Sequence, residues 1–151
     1  MSFRVLFIAL LFAPLGLMAQ EKAAYDKELA DSLGADAYGM RMYQFVILKT
    51  GPTTLHNKDS VGNIFKGHMD NITRLVKEGK LIVAGPFGKN DKSYRGLFIF
   101  TGTDRQQTVD LLATDPAVKT GLLAYDIFDW YGAAALPMYL PFNERVTKTS
   151  F

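Results

Sequence analysis

The stretch MYQFVILK, Met42–Lys49, decides how the rest of the chain is read. It is rich in β-branched and aromatic residues and stops at Thr50-Gly51-Pro52, so it reads as a strand. A sheet with one wet face alternates apolar and polar residues. Here Phe45 and Ile47 point one way and Val46 and Leu48 the other, so both faces are apolar. YRGLFIF, Tyr94–Phe100, repeats the pattern, with Leu97 and Ile99 opposing Phe98 and Phe100.

Working outward from that strand, residues 50–63 crowd Gly, Pro, Asn, Asp and Ser together and read as a loop. Ile64, Phe65, His68, Ile72, Leu75 and Val76 then recur at helical spacing, with Gly79 as the stop. LIVAG, Leu81–Gly85, is a short strand and KNDKS a turn before Tyr94–Phe100. TDRQQTVDLLAT predicts a second helix with Thr103 as N-cap. DPAVKTG predicts one more turn, with Asp115 as cap, Pro116 at the first helical position and Gly121 as stop. LLAYDIFDW, Leu122–Trp130, is the last strand.

The resulting order, β-α-β-β-α-β, predicts an α+β, ferredoxin-like fold with four antiparallel strands and two helices on one face. Two helices cover one face of a sheet. The second apolar face is expected to meet a second copy, sheet to sheet, with the C-terminal tail folding back over it as the alternative. We place the domain at residues 41–136, a polar arm at 20–40 and a tail at 137–151 with no usable period. Within the arm, Tyr25, Leu29 and Leu33 allow either a short helix ending at Gly34 or a loosely held segment.

Residues 1–19 read as a secretory signal peptide: Arg4, an apolar run from Val5 to Met18 broken by Pro14, and Ala19 as a small cleavage position. The expected location is the periplasm or the exterior, with no stable membrane span after cleavage. Net charge is +2 across 151 residues, with basic and acidic side chains interleaved. That pattern argues against a nucleic-acid partner. With no Cys there is no disulfide, thiolate nucleophile or thiolate ligand, and two histidines cannot make a three-histidine metal site in one chain. No metal and no cofactor is expected. Haem on His68 is the weaker alternative.

Chemistry concentrates on GHMDNITRL, Gly67–Leu75, where His68 stands in one row with Ile64, Ile72 and Val76. An imidazole on such a face is either a core group hydrogen-bonded to a carbonyl or a proton carrier. His56 lies in a polar loop. A working histidine needs a carboxylate to fix its tautomer, and Asp115 can serve while also capping its helix, since a carboxylate has two oxygens. Asp70, two residues from His68, points elsewhere on a helix. Asn71-Ile72-Thr73 matches a glycosylation acceptor but sits mid-helix. Gly85 and Pro86 bring backbone close to whatever lies at the strand end, without the pattern of a phosphate loop. Tyr43 and Phe45, with Gly85 and Pro86, are the candidate substrate-binding residues. Tyr94, Tyr125 and Trp130 are weaker candidates, since strand aromatics are mostly core.

From about Met42 to Leu136 the chain resembles the YCII-related domain family. GHMDNITRL, GKLIVAGPFG, GLFIF, TDPAVKTG and WYGAAAL carry the resemblance, spaced and in order. The resemblance implies a dimeric α/β-barrel and an active site made from a histidine on the first helix and an aspartate after the second, here His68 and Asp115. One member is known as a dehydrochlorinase of a chlorinated hydroxyquinol, and the fold is similar to muconolactone isomerase. Fold similarity alone does not license an activity. The expected function is cofactor-free acid–base chemistry, of lyase or isomerase type, on a small cyclic or aromatic molecule. The rival is a non-catalytic ligand-binding or interaction module of the cell envelope.

Overall fold

A computed structural model describes residues 24–149. The expected signal peptide lies outside the described residues. α1 (Lys27–Leu33) ends at Gly34 in the left-handed conformation, so the arm holds the short helix rather than a loose segment throughout. The sheet is built from β1 (Met40–Thr50), β2 (Leu81–Pro86), β3 (Tyr94–Phe100) and β4 (Leu123–Ala133), ordered β2-β3-β1-β4. The pairings are antiparallel. α2 (Lys58–Lys77), α3 (Arg105–Ala113) and α4 (Pro116–Lys119) complete the expected ferredoxin-like arrangement. No described helix is long and apolar enough to cross a membrane.

Strand alternation sorts the core into two clusters. Val46, Leu48, Phe98, Phe100 and Ile127 pack with Leu75 of α2, Leu112 of α3 and Ala117 of α4. Tyr43, Ile82 and Ile99 form the second cluster, against which Phe45, Val83, Leu97, Leu136 and Leu140 pack. The tail is therefore structured. A 3-10 turn at Leu136–Tyr139 leads into α5 (Leu140–Val146), and Leu136 and Leu140 bring it onto the second cluster. Two prolines and a short helix hide this from any periodicity count.

β1, β2 and β4 run one to three residues beyond the expected ends, and two helix starts differ from expectation. α2 begins at Lys58 rather than Ile64, because Asn57 caps it by accepting from the Ser60 N–H at 2.9 Å. Its first turns are mostly exposed and carry little apolar signal, so polarity there looked like loop. α3 is capped by Asp104, not Thr103. The Asp104 carboxylate accepts from the N–H groups of Gln106 and Gln107, while the Thr103 carbonyl accepts from Gln44.

Register is broken once on β2. Leu81 pairs with Phe100, but Val83 pairs with Ile99, which leaves Ile82 as an extra residue. Such a bulge interrupts the ladder. Its carbonyl accepts a hydrogen bond from the Tyr139 hydroxyl. The bulge on an edge strand is thus a docking point for the tail.

Candidate active site

His68 sits about two turns before Leu75 on α2, facing the sheet, and is 8% exposed. Its row companions Ile64, Ile72 and Val76 pack against the helix-side core. The imidazole lies stacked against Phe98 at 6.0 Å between ring centroids, and Phe65 meets it edge-on at 5.9 Å. These contacts fix the ring plane between a strand and a helix.

His68 Nδ1 stands 2.6 Å from Asp115 Oδ2. Asp115 is 1% exposed, and its other oxygen accepts from the Ala117 N–H at 2.9 Å, which caps α4. One carboxylate thus orients the imidazole and holds the helix that positions the carboxylate. With Nδ1 engaged by a carboxylate, the arrangement favours a proton on Nδ1 and leaves Nε2 as the free lone pair. Nε2 has no hydrogen-bond partner among the described residues, and it is not among the buried atoms that lack one. It is therefore open to the cavity.

That cavity encloses about 440 Å³ and is lined mainly by apolar groups, among them Leu48, Phe65, Ile72, Phe98 and Leu123 beside His68. The size falls within the usual range for small-molecule sites. Gly85 and Pro86 line it, as does Gly96. Gly96 is required by its neighbours: a Cβ there would stand 2.7 Å from the Gly85 carbonyl oxygen. The tail contributes Tyr139, Leu140 and Asn143 to the wall.

The structure does not bring all the expected residues together. His68, Gly85 and Pro86 share the cavity, and Asp115 stands directly behind His68. Tyr43 and Phe45 do not line it. They alternate onto the opposite face from Val46 and Leu48, where Tyr43 is fully buried and its hydroxyl donates to the carbonyls of Ala133 and Ala134. Burial pushes the Tyr43 phenol up from its ordinary value. Tyr94 and Trp130 also lie outside the cavity, while Tyr125 borders a separate open cleft with Arg105 and Phe128. Asn71, in the glycosylation-like triplet, is buried against Arg74 and Thr114. Among the described residues no group of three His, Cys, Asp or Glu is placed to hold a metal ion.

Three contributors were not apparent from spacing. Gly67 lies against Pro116, and a Cβ at Gly67 would come within 3.0 Å of the proline ring. The glycine lets α2 approach α4 closely enough for the next residue, His68, to meet Asp115. A glycine mid-helix beside a candidate histidine is a signal of close approach that could have been read. Arg95 and Asn143 also line the cavity.

The chain matches the YCII-related domain over residues 42–131, more than half its length. No curated protein matches it. A similar solved structure is 5-chloro-2-hydroxyhydroquinone dehydrochlorinase from Burkholderia phenoliruptrix AC1100, in complex with 2,5-dihydroxybenzoquinone. It is 21% identical, covers 58% of this chain and 92% of its own, and has a TM-score of 0.42.

Proposed function

The chain belongs to the YCII-related domain family, and from that premise we propose that it is a cofactor-free acid–base enzyme of lyase or isomerase type. His68 and Asp115 are the proposed catalytic pair, and the substrate is a small cyclic or aromatic molecule. The observation that carries this reading is the His68 Nδ1–Asp115 contact of 2.6 Å behind an imidazole that borders an apolar cavity.

In the proposed step, Nε2 of neutral His68 takes a proton from an acidic C–H or O–H of the bound ring. The electron pair left behind delocalises into the ring system. Asp115 stabilises the imidazolium that forms. In an isomerisation the same proton returns at another ring position. In an elimination the electron pair expels a leaving group, and the imidazolium then gives its proton to solvent. Phe98 and Phe65 hold the imidazole plane, so the proton moves along a fixed direction.

The test is a panel of small lactones, phenols and halogenated hydroquinones in deuterated buffer. Proton NMR reads exchange or product formation for the wild type and His68→Asn. Exchange or turnover lost in the variant supports the reading. No turnover and no exchange across the panel sinks it, and a ligand-induced rise in melting temperature without turnover favours the binding-module alternative.

The same proposal includes export, supported by the apolar run Val5–Met18, and a homodimer. The second sheet face supports the dimer: Phe128 is 49% and Trp130 37% exposed there, beside half-buried Phe45, Ile47 and Leu97. Sedimentation equilibrium of wild type and a Phe128→Glu/Trp130→Glu variant tests it. A wild-type monomer at high micromolar concentration would overturn the dimer.

A further inference from the structure

We infer that the ligand of the His68 cavity carries a negative group, and that Arg95 on β3 is the residue that selects it. This deepens the proposed function and rests on the cavity being its site. Arg95 is the one charged side chain other than the histidine among the described residues that line the cavity; no Asp or Glu lines it. The buried carboxylate of the site, Asp115, is already engaged by His68 and the Ala117 N–H. Arg95 has no side-chain hydrogen bond or ion pair among the described residues. Three other basic side chains are held in ion pairs: Lys49 with Asp126, Lys66 with Asp70, and Arg74 with Glu78.

Arg95 is exposed and lines a largely apolar cavity without a carboxylate beside it, so the residues of the lining carry a single net sign. A guanidinium presents a planar fork that matches a carboxylate and also accepts an ionised phenol. The remaining lining fits the flat body of a ring: aromatic Phe98 and Phe65, aliphatic Leu48, Ile72 and Leu123, and side-chain-free Gly85 and Gly96. The expected ligand class is therefore a one- or two-ring acid, with its anionic group at Arg95 and its body beside His68.

The selection does not act through the helices that make the His68–Asp115 pair. Arg95 precedes Gly96, where β3 pairs with Pro86 of β2 and Leu48 of β1. Catalysis and charge selection are thus carried by different elements and separate by mutation.

The experiment uses the full-length mature protein and matched pairs of probes, benzoate with benzamide and salicylate with salicylamide, followed by isothermal titration or ligand-observed NMR. Wild type is expected to bind each acid about five- to tenfold more tightly than its amide. Arg95→Gln is expected to erase that difference while leaving the amides unchanged, and Arg95→Lys to keep part of it. Arg95 is exposed, so unchanged melting temperatures confirm that the variants fold. Acids and amides binding equally to wild type, or a preference that survives Arg95→Gln, overturns the inference. His68-dependent turnover of neutral rings alone would leave the proposed chemistry standing and this inference refuted. Arg95-dependent binding of acids with no His68-dependent turnover would do the reverse.

Discussion

The two faces of the sheet begin from the same alternating pattern and end in different physical states. On the face under α2, α3 and α4, Val46, Leu48, Phe98 and Phe100 are buried, and the helices bring in a polar pair, His68 and Asp115, at its margin. On the other face Tyr43, Ile82 and Ile99 are buried with help from the tail, while Phe128 and Trp130 stay exposed. Apolar pattern alone says that both faces must be covered. What covers each face differs: α2 and α4 bring His68 and Asp115 together beside a cavity, whereas the tail lays Leu136 and Leu140 on the second cluster, leaves an apolar remainder there and reaches the cavity wall through Tyr139, Leu140 and Asn143.

The largest expected effect falls on the helix face. Asp115→Asn keeps an oxygen to cap α4 but removes the charge that stabilises the His68 cation. Turnover is expected to fall by about two to four orders of magnitude, while melting temperature moves little. Equal loss of both would mean that Asp115 is a structural group. Next comes the core beneath it. Leu75→Ala opens a cavity at a residue that is 1% exposed and is expected to cost about 2–5 kcal/mol. Chemical denaturation reads this directly, and a much smaller cost would show that the helix face is as loosely covered as its opposite.

Gly67→Ala sharpens the comparison, because it touches the joint between α2 and α4 and nothing on the other face. Alanine favours the helix by up to about 1 kcal/mol, yet its methyl presses on Pro116. Stability near wild type with turnover reduced about tenfold is the expected result. Activity equal to wild type would show that α4 yields without disturbing the pair.

The remaining effects are smaller and belong to the tail and the cluster it covers. Tyr139→Phe removes the hydrogen bond to the Ile82 carbonyl, with an expected loss of about 0.5–1.5 kcal/mol. Burial raises the phenols of Tyr43 and Tyr139 above their ordinary value. The unfolded chain therefore ionises first as pH rises. Their contribution is intact below the unfolded tyrosine pKa, about 10, and declines as pH climbs from there through the folded value. Stability measured from pH 9 upward should fall less steeply in Tyr43→Phe than in wild type; parallel curves would contradict the burial argument.

Much of the fold was legible because strand and helix periods are local. Tyr94–Phe100 is bounded as expected, and Asp115, Pro116 and Gly121 mark α4 by cap chemistry alone. Polar helix starts were not legible, since Lys58–Asn63 carries little apolar period for a core to impose. Within the site, residues whose side chains lie in a helical row were found, as with His68. Residues whose role depends on which face of a strand they occupy divided: Tyr43 and Phe45 share a strand with Leu48 but point away from the cavity that Leu48 lines.

By itself the sequence determined the element order, the two apolar faces, the imidazole in an apolar row and the carboxylate at a helix start, because each is a matter of period or of contacts within a few residues. Tertiary structure alone decided that the two groups meet, that Gly67 permits it, that Arg95 joins their cavity and that the tail docks on the β2 bulge. Those are distances between segments far apart in the chain. Packing of whole elements sets them, and no local pattern encodes them.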